Sequence, residues 1–173
     1  TWLGHQEAPP RAAVLAIASG AGPHGVVVAA SDKVIQCLDL RTGKVAILVA
    51  DPQGGVRDPQ VHYDGRKILF SYRKGDCRQY HLYEIGIDGS GLRQVTDGPD
   101  DELEPIYLPD GDLVFTSSRC HRFVQCWFTE VAVMYRSDAD GRNVRLISAN
   151  IEQDNTPWMM PDGRILYMRW EYV

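Results

Sequence analysis

Asp58-Pro-Gln-Val-His-Tyr-Asp-Gly65 is answered by Glu104-Pro-Ile-Tyr-Leu-Pro-Asp-Gly111 and again by Thr156-Pro-Trp-Met-Met-Pro-Asp-Gly163. Pro59, Pro105 and Pro157 lie 46 and 52 residues apart, and Gly43, Gly89 and Gly141 keep the same two intervals. Two independent markers that agree define an internal repeat, one copy of which carries six extra residues. After each Asp-Gly comes a short apolar run: Ile68-Leu69-Phe70, Leu113-Val114-Phe115 or Ile165-Leu166-Tyr167. Asp bonds back to its own turn and Gly supplies a positive φ, so each phrase predicts a strand, a tight turn and a strand.

The glycine landmarks mark a second turn. Asp88-Gly89-Ser90-Gly91 and Asp140-Gly141-Arg142-Asn143 each separate an alternating segment (82–87; 131–136) from a short closing strand (92–96; 144–148). Arg41-Thr42-Gly43-Lys44 does the same between 34–40 and 45–49. The unit is four antiparallel strands, and four strands recurring at this period form the blade of a β-propeller. No stretch keeps an i, i+3, i+4 apolar stripe for three turns, which excludes helical solenoids. Phe70, Phe115 and Tyr167 hold one repeat position and are expected to pack sheet against sheet.

The expected architecture is all-β, a partial propeller occupying 25–173 with blades at about 25–50, 56–96, 102–148 and 155–173. Residues 1–24 read as an N-terminal segment, a strand or linker from a preceding blade. A propeller closes with about four to eight blades. With three to four blades here, the chain is expected to be a piece of a longer polypeptide or an open fragment.

Hydrophobic residues make up 44% of the chain and charged ones 24%, an ordinary globular balance. A net charge of -5 argues against nucleic-acid binding, which needs a basic face. No apolar run approaches the roughly 20 residues of a membrane-spanning helix. The apolar stretch 12–18 is read as strand in preference to a secretory leader, since it lacks a basic start.

The six extra residues fall in Ser117-Ser-Arg-Cys-His-Arg-Phe-Val-Gln-Cys-Trp-Phe-Thr-Glu130, between the second and third strands of its blade. Loops on a rigid scaffold carry function. Cys120 and Cys126 could bridge if the loop folds back, could remain free thiols, or could ligate a metal together with His121. Zinc is the candidate ion for thiolate and imidazole ligands, with Cys77 and His81 as further donors. Ser117 stands where the first thiol of Cys-x-x-Cys-His would have to be, so no covalent haem motif is present here. No nucleophile elbow or catalytic constellation is found. The acidic link Asp97-Gly-Pro-Asp-Asp-Glu-Leu-Glu104 is read as a solvated loop before a Ca²⁺ site, and His62 as a packing residue.

The Pro-Asp-Gly and Asp-Gly-Ser/Arg turns resemble the repeats of TolB-like propellers. A narrower set is similar to the middle domain of the hydrazine synthase alpha subunit family: 64–73, 80–85, the Cys120 loop 117–127, and 154–172 with its closing Arg169-Trp-Glu-Tyr172. That resemblance implies a bacterial periplasmic or secreted protein in which the propeller sits between other domains of the same polypeptide. In the synthase, hydrazine is assembled from nitric oxide and ammonium by a subunit carrying c-type haems and zinc. Cys120 and Cys126 are the positions offered for a family metal or redox role. Three functions follow as expectations: a non-catalytic scaffold or partner-binding propeller, a component of a metal- or haem-dependent redox enzyme, and a TolB-type interaction module.

Overall fold

A computed structural model of the chain describes residues 16–20 and 26–172. The first sheet holds β1 (Ala16–Gly20), β2 (Val26–Ala30), β3 (Val34–Asp39) and β4 (Val45–Ala50). The second holds β5 (Gly55–Val61), β6 (Lys67–Arg73), β7 (His81–Gly86) and β8 (Arg93–Gln94). The third holds β9 (Glu102–Tyr107), β10 (Leu113–Ser117), β11 (Val133–Ser137) and β12 (Arg145–Leu146), and the fourth pairs β13 (Asp154–Met159) with β14 (Ile165–Arg169). Each sheet is an antiparallel meander in chain order. The first strands β1, β5, β9 and β13 pack successively on one another, which puts them at the centre of a radial array. This is the expected all-β partial propeller.

β1 changes one boundary. It pairs with β2 from Ala16↔Ala30 to Gly20↔Val26 and so belongs to the first sheet, not to a separate segment over 1–24. The rest of that segment, with residues 12–15 of the apolar stretch, lies outside the described residues. The closing strands are also shorter than the alternation predicts. Thr96 and Ser148 take the amides of Leu82 and Met134 on their side-chain oxygens, both at 2.9 Å, where a regular ladder would use a carbonyl.

The core lies between sheets, and strand alternation explains the continuous apolar runs. Ile68 and Phe70 face the first sheet, packing with Val28, Ile35 and Cys37, whereas Leu69 faces the third, with Phe115 and Val133. On β10 the parity repeats: Leu113 and Phe115 look back to the second sheet and Val114 looks forward to Met159, Ile165 and Tyr167. Strands buried on both faces need no polar alternation. Full burial of each such side chain contributes about 1.5–3 kcal/mol. The matched aromatics Phe70, Phe115 and Tyr167 thus pack sheet against sheet as expected.

The Asp-Gly turns form as read. Asp64, Asp110 and Asp162 accept the amide two residues on through Oδ1, at 2.9, 3.1 and 3.1 Å, and Gly65, Gly111 and Gly163 take φ of 69°, 96° and 85°. Before each landmark proline the backbone does something the sequence did not announce. Asp58, Glu104 and Thr156 adopt φ of 54°, 53° and 51°, at the register shift of their strand pairs. A left-handed non-glycine costs on the order of 1–3 kcal/mol and persists where surrounding contacts hold it. Those contacts run between blades.

Candidate functional site at the insertion-loop face

The innermost strands carry a ladder of carboxylates and amides. Asp58 Oδ2 accepts the backbone N–H of Glu104 at 3.2 Å, and Glu104 Oε2 accepts that of Thr156 at 2.7 Å. The bulge turns each amide out of its own sheet and toward the preceding blade. Arg57 Nε closes the near end on Asp58 at 2.7 Å. Burial pushes the Glu104 carboxyl above its ordinary range, and the Asp58 charge adds to this, against the opposing pull of the Thr156 amide.

Deeper between blades lies a second acidic relay. Glu102 is fully buried. Its Oε1 takes Arg119 at 2.6 Å and its Oε2 takes His81 Nδ1 at 2.7 Å and the Thr96 hydroxyl at 2.9 Å. Asp154 holds the same repeat position and is also fully buried, taking Arg169 Nε at 3.0 Å and Asn150 at 3.2 Å. Burial works to raise the Asp154 carboxyl, but Arg169, Ser148 and Asn150 together hold it below the usual carboxylate range. The acidic link is therefore a solvated loop only at Asp97, Gly98 and Pro99, which are exposed, and not from Asp101 onward. Asp101 accepts the Tyr80 amide at 2.7 Å, and Glu102 and Glu104 join neighbouring blades.

The insertion is a β-hairpin. Val131 N–H meets Arg122 O at 2.7 Å, Val124 N–H meets Thr129 O at 2.9 Å, and Phe123 bridges Glu130. Val124 is buried among Leu113, Phe115 and Val131, which anchors the excursion. At the tip, Trp127 and Phe128 are 72% and 87% exposed, with ring centroids 6.3 Å apart. Under the hairpin, between it and the first strands of three blades, is a cleft of about 700 Å³. Arg57, Glu104, Asn155, Phe123, Phe128 and Glu130 line it.

The hairpin separates the residues singled out in the sequence. Cys120 lies at its base, its thiol 3.1 Å from Val131 O, and Cys126 lies exposed at its tip. The 122–131 and 124–129 rungs lie between them, so the arm of the hairpin holds the two thiols at its opposite ends and out of disulfide reach. Both are free thiols, as are Cys37 and Cys77. The expected bridge fails because the loop folds back around 126, not midway between the cysteines. His121 turns to Asp100, 3.6 Å away, and His81 is engaged by Glu102. Among the described residues no three His, Cys, Asp or Glu side chains converge as metal ligands. Cys120, His121 and Cys126 thus diverge and do not fit zinc. His62 packs edge-on to Tyr107, with ring centroids 4.7 Å apart, in line with its reading as a packing residue.

Sequence reasoning missed Asp58, Glu104 and Glu102 as inter-blade links, and Arg57 and Glu130 as cleft residues. A usable signal was present in the pre-proline position, which holds Asp, Glu and Thr, each with an oxygen acceptor.

No family model matches the chain. Over 81 residues it is 37% identical to hydrazine synthase subunit alpha of Kuenenia stuttgartiensis, covering 46% of this chain and 10% of that protein. The solved hydrazine synthase of Kuenenia stuttgartiensis superposes with a TM-score of 0.67 at 21% identity, over 84% of this chain and 25% of that one. TolB from Acinetobacter baumannii superposes with a TM-score of 0.69 at 18% identity, over 92% and 38%. At these identities the superpositions establish the fold. The chain spans about a tenth of the length of the curated relative it matches.

Proposed function

We propose that this chain, a propeller segment of TolB-like blades related in sequence to hydrazine synthase subunit alpha, is a non-catalytic platform whose insertion-loop face receives a partner or ligand. The observation that carries the reading is the hairpin itself: rigidly anchored at Val124, it presents Trp127 and Phe128 to solvent above the cleft. Exposed aromatics on a fixed support are the usual anchors of recognition surfaces. The partner is another domain of the same polypeptide or an envelope protein, and the setting is extracytoplasmic, in keeping with the named relatives. Among the described residues no helix is long and apolar enough to cross a membrane.

Photo-cross-linking in the native host tests this. A benzophenone at position 128 is expected to capture one defined neighbour. The same label at position 110, on the turn at the opposite strand ends, is expected to capture none. Equal capture from both positions contradicts the reading.

A second reading is favoured by the 37% identity: the propeller is a structural part of a larger redox enzyme of the hydrazine synthase type. Stoichiometric haem or transition metal in the full-length polypeptide from its native host supports it. A full-length polypeptide that carries neither after native purification contradicts it.

A further inference from the structure

The cleft beneath the hairpin is chemically one-sided. Among the described residues its lining holds the acidic residues Asp101, Glu104 and Glu130, of which Asp101 is engaged by the Tyr80 amide, and one cationic residue, Arg57, already bound to Asp58. Phe123 and Phe128 supply the apolar part, 56% and 87% exposed. Among the described residues Glu130 has no side-chain hydrogen-bond partner, and Glu104 uses only Oε2, on Thr156 and on Thr116 at 3.5 Å. Arg57 offsets Asp58, which leaves the Glu104 and Glu130 carboxylates as the charge that the described cleft residues do not pair. A group that brings positive charge on an aliphatic stem would neutralise it. Aromatic faces favour such cations further, through their ring quadrupole.

We propose that this cleft binds the ammonium or guanidinium end of an aliphatic cation, with the charged head at Glu104 and Glu130 and the stem against Phe123 and Phe128. The inference rests on the recognition role of the insertion-loop face and names its ligand chemistry. A cleft of about 700 Å³ admits a small organic amine or a lysine or arginine side chain of a partner. Anionic and neutral ligands of the same length are disfavoured by the carboxylate wall, which gives specificity by repulsion as well as attraction.

Titration calorimetry with n-hexylammonium, hexanol and hexanoate on the same protein tests the proposal. Saturable binding is expected for hexylammonium alone, weakening as salt is raised. Glu104→Gln keeps an oxygen for the Thr156 amide and removes the charge, and Glu130→Gln alters an exposed side chain. Each is expected to weaken hexylammonium binding about tenfold, the scale of one charge-assisted hydrogen bond. Asp110→Asn, at the far strand ends, is expected to leave it unchanged. A lysine-bearing tripeptide with blocked termini distinguishes the sources: tighter binding than hexylammonium points to a partner side chain, weaker binding to a free amine. Equal binding of hexanol, or hexylammonium binding unaffected in both charge variants with native circular dichroism, overturns the proposal. The partner role falls only if the cross-link from position 128 also fails.

Discussion

Thr156 donates its backbone N–H to Glu104 Oε2 across the boundary between the third and fourth sheets, at 2.7 Å. Glu104 donates its own N–H to Asp58 across the preceding boundary, so one residue is acceptor to the next blade and donor to the last. The positive φ that each of these residues carries is what frees the amide to point between blades. Local strain and inter-blade bonding are thus two aspects of one device.

Glu104→Ala is expected to lower stability by about 1–2 kcal/mol in urea unfolding, since it orphans the Thr156 amide. Glu104→Gln, which keeps the acceptor, is expected to cost less than Glu104→Ala. A Gln variant as destabilised as the Ala variant would show that the bond is not the relevant contact.

The pH dependence of Glu104 has the opposite sign to ordinary acid denaturation. Burial raises its folded-state value, so the folded protein holds a proton where the unfolded chain has lost it. Its contribution is fully present below the unfolded value and is lost as pH rises through the folded one. Asp154 runs the other way: lowered in the fold, it supports stability above its unfolded value, and that support is lost as pH falls through its folded value. Urea midpoints against pH should therefore show wild type losing, between the unfolded and folded values of Glu104, stability that Glu104→Gln retains. Asp154→Asn should flatten the acid limb. Parallel curves for wild type and both variants would contradict these assignments.

Glu102→Ala is expected to cost about 3–5 kcal/mol, because it strips Arg119 of its counter-charge and leaves His81 Nδ1 and the Thr96 hydroxyl without their buried partner. Thermal unfolding checks it. A loss under about 1 kcal/mol would place this cluster at a wetter position than its burial indicates.

The prolines, the Asp-Gly turns and the matched aromatics were legible in the sequence because each is a local necessity. Gly65, Gly111 and Gly163 sit where φ must be positive, and Phe70 and Phe115 where two sheets meet. β1 was legible as a strand within the apolar stretch 12–18 but not in its blade: nothing local marks its partner, and the pairing with β2 puts it in the first sheet and not in a preceding one. Glu102 and Glu104 were hidden inside an acidic run that reads as solvated. Their partners, at Arg119, His81 and Thr156, lie 17, 21 and 52 residues away. The cysteine loop misled because its spacing permits a bridge, and only the rungs at 122–131 and 124–129 show where the turn falls.

Thiol titration without reductant is expected to count four thiols in denatured protein. In the native state Cys77 and Cys126, which are exposed, should react first. Cys37 should react last, since burial, with the nearby Asp39 charge, pushes its thiol up. Two thiols before reduction and four after would show that the hairpin rearranges to join Cys120 and Cys126.

Amide hydrogen exchange at Glu104 and Thr156 tests the inter-blade ladder most directly. Both amides sit at irregular, left-handed positions outside any regular strand pairing, yet both should exchange slowly. Thr156 should accelerate in Glu104→Ala and stay protected in Glu104→Gln. Exchange of both amides at unstructured rates in the wild-type protein would contradict an array of blades tied together through these residues.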